Sequence, residues 1–478
     1  MFQIEIDRAV PRFKEFQFTE PVSWKINEGE NWAVIGPNGA GKTLLTDILQ
    51  GKIVLKEGRV HAAFGEETDT YRLIKSMAFR DIYSLADCRN MYYQQRWNSS
   101  DVEETPLAGS LLQEFSPEKI AGYTKLFHID ELLQKRIISL SSGELRKFLI
   151  TRTLLAEPKV LILDNPFIGL DTASRDSLGQ MLQQMAVLNG LQTILVLSNP
   201  LDIPEWTGYV LPVWERTCLP VRNREEFLKD VRLINRLFPE QEGQAPVLPA
   251  DDEKHAEYSE TVNMEAVTVK YGSRVILKDI DWVVKNGEKW ALLGENGSGK
   301  STLLSLVCGD NPQSYANKLT LFDRRRGTGE SIWDIKKRIG YLSPDMHTYY
   351  LQDIPCIDVV ASGFFDSIGL FRKCSEEQRE TARQWLEVFR ISHLAGRSFV
   401  KISYGEQRLI LLARAFVKNP ELLILDEPLH GLDVGKKKLA RQVIEAFCAR
   451  PDKTLIYVTH YVEEIPSCVT LFKTLSKN

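Results

Sequence analysis

The feature that most constrains this chain is that it repeats itself. GPNGAGKT at residues 36–43 returns as GENGSGKS at residues 294–301, LSSGE at 140–144 returns as ISYGE at 402–406, and LILDNPFIGLD at 161–171 returns as LILDEPLHGLD at 423–433. The order is the same in both halves, and Ser141 precedes Asp164 by the same 23 residues that separate Ser403 from Asp426. A period of about 260 residues is far beyond the roughly 20 to 50 of solenoid arrays, so the repeat is a duplicated domain. A chain of 478 residues has room for two such domains.

Within each half an apolar strand enters the glycine loop, and a helical pattern, LLTDILQG or LLSLVCG, leaves it. Short apolar strands alternate with helices beyond it, which predicts an α/β fold with a mostly parallel sheet. Residues 116–133 and 375–394 read as more helical and polar, and predict a helical subdomain in each half. Apolar periodicity weakens between Leu219 and Val262, where EQEGQAPVLPADDEKHAEYSE gathers proline, acidic and small residues. The expected organisation is one domain over residues 1–218, a linker over 219–262 and a second domain over 263–478.

Composition narrows the function classes. A net charge of −4 and a pI near 6.1 argue against a partner made of nucleic acid, because binding a phosphate backbone rests on clustered Lys and Arg. The seven cysteines are scattered without a C-x-x-C pair, so neither a disulfide framework nor a zinc site is expected, and a cytoplasmic protein is. The start, MFQIEIDRAV, lacks the apolar core of a signal peptide. Apolar runs such as residues 160–163 and 422–425 have strand length, well short of the roughly 20 residues that span a bilayer. No direct membrane insertion is expected, so a membrane role would come through a partner.

Both glycine loops match G-x-x-x-x-G-K-S/T, in which backbone N–H groups cradle phosphates, the lysine meets their charge and the hydroxyl holds Mg²⁺. This assigns ATP, with Mg²⁺, to Gly36, Asn38, Gly39, Gly41, Lys42 and Thr43 in the first half. In the second half it assigns them to Gly294, Asn296, Gly297, Gly299, Lys300, Ser301 and Thr302. Asp164 and Asp426 each end a four-residue apolar run, at the strand end where open α/β sheets bind ligands, and are placed to hold the metal through water. The next position separates the halves: Glu427 can accept a proton from an attacking water, whereas Asn165 cannot. A second difference is expected downstream, with His460 in LIYVTH answered by Asn199 in ILVLSN. Glu427 and His460 are the expected catalytic pair.

Glycine loop, LSSGE or ISYGE signature, LILD strand and GLD loop, in fixed order over nearly the whole chain, resemble the ABC ATPases. The resemblance implies two P-loop NTPase cassettes that form an internal pair, head to tail, with each ATP held between one glycine loop and the other cassette's signature. It groups Lys300, Ser301, Asp426, Glu427 and His460 with Ser141, Ser142 and Gly143. It likewise groups Lys42, Thr43, Asp164, Asn165 and Asn199 with Ser403, Tyr404 and Gly405. The family's adenine-stacking aromatic corresponds to Tyr271 and, at the same offset, to Phe13. Departures are the missing middle glycine of both signatures, with Tyr404 large where the family is small, and Pro344 where a glutamine loop is expected. Gln94 or Gln95 is the counterpart in the first half.

A narrower resemblance, carried by residues 303–341 and by the twin-cassette plan with Asn165 and Asn199, is to ATP-binding proteins named for molybdenum transport. It implies an ATPase that energises separate transmembrane permease subunits from the inner face of the membrane. Arg324, Arg325 and Arg326 within that stretch read as a solvated loop. The alternative is a soluble ATP switch in regulation, in repair or on the ribosome. The ribosomal twin-cassette factors of the ABC-F group carry a long charged helical linker, and the linker here is short and acidic.

Overall fold

Continuous apolar runs become the central strands. In the computed structural model, Val160–Asp164 and Leu422–Asp426 are strands buried at every position, as expected where helices or a second sheet cover both faces. The structure describes residues 2–64, 73–78, 106–137, 140, 142–170, 172–187, 191–239, 246–250, 257–272, 274–295, 297–350 and 352–476. The chain divides into two units, one built on residues 1–88 and 104–240, the other on residues 241–432 and 436–478.

The first unit runs β1 (Phe2–Pro11), β2 (Val22–Asn27), β3 (Trp32–Ile35), α1 (Lys42–Leu49), β4 (Leu55–Phe64), β5 (Ile74–Ala78), α2 (Pro117–Leu126), α3 (Ser142–Leu155), β6 (Val160–Asp164), α4 (Thr172–Ala186), β7 (Gln192–Leu197) and β8 (Tyr209–Trp214). Strands β8, β3, β7, β6 and β5 pair in parallel in that order, and β2, β1 and β4 form a separate antiparallel sheet. Alternate residues of a strand point to opposite faces. Accordingly Val160 and Ile162 join Ile4, Trp24 and Leu45 in a core with the antiparallel sheet and α1, while Leu161 and Leu163 pack with Phe148, Leu178 and Leu182 of α3 and α4.

The segment 219–262, expected to connect the domains, carries structure of its own. Beyond β9 (Thr217–Cys218) it forms β10 (Arg222–Asn223), α5 (Arg224–Lys229) and α6 (Val231–Leu237), with Phe227 and Leu237 fully buried in the first unit's core. Leu248 packs against the second unit's core, and the Pro249 carbonyl accepts from Arg450.

The second unit repeats the plan: β11 (Glu260–Tyr271), β12 (Arg274–Lys285), β13 (Lys289–Gly294), α7 (Lys300–Val307), β14 (Lys318–Leu321), β15 (Arg324–Arg325), α8 (Ile332–Arg338), β16 (Ile339–Leu342), α9 (Cys356–Ala361), α10 (Glu376–Val388), α11 (Tyr404–Phe416), β17 (Leu422–Asp426), α12 (Val434–Cys448), β18 (Thr454–Val458) and β19 (Leu471–Leu475). Its parallel sheet has the order β16-β17-β18-β13-β19, beside an antiparallel sheet β12-β11-β14-β15. Arg324 and Arg325 are exposed, but Arg326 is buried, donates to Glu330 at 2.7 Å and lies over Tyr315, so the arginine run is not a solvated loop throughout.

The expected helical stretches carry α2 and α10. A capping box, in which Ser375 and Gln378 each accept from the other's backbone N–H, starts α10. Its Trp385 is 1% exposed and stacks on Phe416 at 5.0 Å, with Phe389 and Phe447 around it. Because that ring fills the junction of α10, α11 and α12, Trp385→Ala is expected to cost about 3–5 kcal/mol of the second unit's stability. Urea unfolding followed by circular dichroism checks this, with Trp385→Phe expected to cost less.

Candidate functional site

The second cassette shows how the motifs converge. Strand β13 ends at Gly294, the chain turns through Gly297 and Gly299 at φ of 81° and 96°, and α7 begins at Lys300. A side chain is strained at such φ values, and a Cβ on Gly299 would meet Leu277 at 2.7 Å. Lys300 is 8% exposed and its Nζ folds back over the loop, donating to the carbonyls of Gly294 at 2.7 Å and Glu295 at 2.9 Å. Ser301 is exposed at the helix start while Thr302 is buried. Asn296 lies outside the described residues.

The first cassette reproduces this. Gly41 has φ 105°, α1 starts at Lys42, and Lys42 Nζ donates to the carbonyls of Gly36 and Pro37, each at 2.8 Å. Thr43 Oγ1 donates to Asp164 Oδ2 at 2.9 Å. A hydroxyl and a carboxylate from two different elements thus present adjacent hard oxygen donors, a set that suits Mg²⁺. Asn38 and Gly39 lie on the same turn, Gly39 at φ 86°.

At the strand ends the cassettes part. Glu427 follows β17 at φ 47°, its N–H donating to Val458 O at 2.9 Å, and its Oε1 lies 2.9 Å from His460 Nε2. Both side chains are largely buried, at 18% and 7% exposure. Asn165 takes the same backbone conformation, φ 52°, with its N–H on Val196 O at 2.8 Å. Its amide, however, is committed: Nδ2 donates to Asp164 Oδ1 at 2.7 Å, and Oδ1 accepts from Ser198 Oγ at 3.2 Å.

That contact corrects the expected partner of His460. Sheet register sets Asp426 opposite Val458 and Asp164 opposite Val196, so the residues two positions on, His460 and Ser198, are equivalent. Asn199 sits one residue further, where its Oδ1 accepts from Leu201 N at 3.1 Å and caps the short 3₁₀ helix Pro200–Asp202. Counting from the strand aspartate would have found it, since both His460 and Ser198 lie 34 residues on.

The signature helices carry one shared device that the motifs did not announce. Arg408 of α11 is 2% exposed and donates to the carbonyls of Ser343 at 2.8 Å, Asp426 at 2.9 Å, Pro428 at 3.3 Å and Glu427. Arg146 of α3, equally buried, donates to Pro166 O at 2.6 Å. Ser403 caps α11 in a capping box with Glu406, which explains glutamate at the last signature position. Tyr404 and Gly405 are buried in the first turn. Gly143 packs on Ser174, where a Cβ would lie 2.8 Å away; Ser141 lies outside the described residues.

Of the expected base-stacking aromatics, Phe13 is 53% exposed and edge-on to Phe16. Tyr271 is half-buried at the end of β11, its hydroxyl accepts from Asn311 Nδ2 at 2.9 Å, and burial pushes its phenol pKa up. Pro344 opens a 3₁₀ helix, Pro344–Tyr349, at the expected glutamine-loop position, while Gln94 and Gln95 lie outside the described residues. Among the described residues no helix is long and apolar enough to cross a membrane.

Comparison with known proteins agrees with this geometry. The ABC transporter family model matches residues 19–168 and again 277–430. The ABC transporter ATP-binding protein ModF of Escherichia coli (strain K12) is 36% identical over 98% of this chain and 96% of its own length. An uncharacterized ABC transporter ATP-binding protein of Schizosaccharomyces pombe is 28% identical over 97% and 94%. Among solved structures, an archaeal ribosome recycling factor aligns over 98% of this chain and 87% of its own with a TM-score of 0.55 at 18% identity, a likeness of fold. The chain belongs to the ABC transporter ATPase family, as two cassettes in one polypeptide.

Proposed function

We propose that this protein binds ATP in both cassettes, hydrolyses it in the second, and uses the cycle to energise a transporter through separate membrane subunits. The observation that carries the hydrolytic part is the Glu427–His460 pair at 2.9 Å, set against Asn165 tied to Ser198 and Asp164 in the first cassette. Head-to-tail pairing of the cassettes, with Ser141 and Gly143 serving one nucleotide and Ser403 and Gly405 the other, is part of the same reading.

In the second cassette Lys300 leaves the carbonyls of Gly294 and Glu295 to meet the phosphates, and the loop N–H groups cradle them. Glu427 orients the attacking water and accepts its proton as the γ-phosphoryl group is transferred. His460, hydrogen-bonded to Glu427, holds that carboxylate in place and presents its ring to the reacting oxygens. Ser301 with Asp426, and Thr43 with Asp164, would hold Mg²⁺, which supplies charge neutralisation between the phosphates. In the first cassette the same cradle retains ATP, but the Asn165 amide accepts no proton. Phe13 and Tyr271 would receive the adenine rings.

The transport reading is supported by the likeness to an ABC transporter ATP-binding protein over nearly the full length of both chains, and the sequence resemblance points to the molybdate type. ATP closes the cassettes and hydrolysis releases them, a motion that permease subunits at the inner face of the membrane would receive.

Steady-state ATP hydrolysis tests the mechanism. Glu427→Gln is expected to lower kcat by about 10²- to 10⁴-fold, the usual contribution of a general base, while Asn165→Ala changes it less than about threefold. Equal losses from the two would overturn the asymmetry. His460→Ala is expected to lower kcat and Ser198→Ala to leave it near wild type, measured in the same assay. Affinity purification from membranes tests the output: recovery of a multi-span permease supports transport, and co-sedimentation with ribosomes in its place overturns it.

A further inference from the structure

The signature of the second cassette carries a tyrosine where the family is small, and the structure shows where that side chain goes. Tyr404 turns back into its own cassette and is 8% exposed. Its hydroxyl lies 3.3 Å from His430 Nδ1, and its ring covers Gly431, where a Cβ would lie 2.1 Å from the ring. Gly431 has φ 77°, so both space and backbone require glycine there. On its other side the ring meets His347 edge-on at 5.0 Å, and His347 Nδ1 lies 3.0 Å from Pro344 O.

His430 belongs to the loop that carries the proposed base, and its N–H donates to Glu427 O at 3.1 Å. Four residues along the same helix face, Arg408 holds the carbonyls of Asp426 and Pro428 and also that of Ser343. Tyr404 therefore adds a second tie between the same elements: the start of α11, the loop after β16 and the loop after β17. The first cassette keeps the arginine, as Arg146, but has Ser142 and Ile168 at the positions of Tyr404 and His430 and cannot form the tie. The added bond thus belongs to the cassette that has the glutamate.

We propose that Tyr404 is a positioning residue for hydrolysis, holding the Glu427 loop through His430, rather than a contact for nucleotide. The proposal rests on the reading of the second cassette as the working site. Tyr404→Phe keeps the ring over Gly431 and removes only the hydroxyl. It is expected to lower kcat about 3- to 10-fold with KM unchanged, as loss of one buried hydrogen bond allows. His430→Ala breaks the same bond from the other end, and the double variant is expected to fall no further than the worse single one. Unchanged kcat in Tyr404→Phe, a rise in KM alone, or independent losses that multiply in the double variant would each overturn the proposal. Glu427→Gln in the same assay separates the two readings: if it stops turnover while Tyr404→Phe leaves kcat at the wild-type value, only the positioning role fails, and if Glu427→Gln leaves turnover intact, the assignment of the working site fails.

Discussion

A buried arginine on each signature helix is the interaction on which both sites depend. A guanidinium inside a protein is tolerated only when its N–H groups find acceptors, and Arg408 finds them in main-chain carbonyls of the two loops that border the reacting position. Because those acceptors are backbone, the arginine fixes the path of the loops without drawing a carboxylate away from the chemistry. The strand end after β17 turns through a left-handed residue and has little regular structure to hold it. The arginine supplies that hold, and Arg146 does so in the first cassette.

On this shared frame the two cassettes differ by a few side chains. Each glycine loop folds its lysine across loop carbonyls, so the cation is stored at the place where phosphates would compete for it. Around this common cradle, one cassette joins a carboxylate to an imidazole and the other joins an amide to a hydroxyl. The first pair can move a proton; the second is a hydrogen-bonded chain that runs from Ser198 through Asn165 to Asp164. The duplicated fold therefore sets two different chemistries on closely similar backbone turns, at φ 47° for Glu427 and 52° for Asn165.

Much of this was legible in the sequence because the relevant physics is local. Four apolar residues ending in aspartate, in a chain of short apolar runs alternating with helices, read as a buried strand with a carboxylate at its exit, and G-x-x-x-x-G-K-S/T needs the left-handed glycines that Gly41 and Gly299 show. What was not legible depends on register or on long-range packing. Asn199 resembled a histidine replacement because it ends a similar string, but only sheet pairing decides that Ser198 holds the place. The fate of Tyr404 was hidden because Gly431 and His347, which receive its ring, lie 27 and 57 residues away along the chain. Arg326 read as solvated because its burying partners, Glu330 and Tyr315, are not distinguished by composition.

The positive φ of the residue after each strand aspartate has a consequence for how the two cassettes could diverge. A left-handed conformation costs an ordinary side chain roughly 1–2 kcal/mol, and asparagine is among the residues that adopt it most readily. Glu427 therefore carries a conformational load, at φ 47°, that Asn165 at φ 52° largely escapes. Replacing glutamate by asparagine here is downhill for folding, and the reverse change is uphill even if it restores a base. In a duplicated protein that slope acts as a ratchet: once a cassette has asparagine at this turn, return to glutamate is opposed by its own backbone, whatever the chemistry would gain.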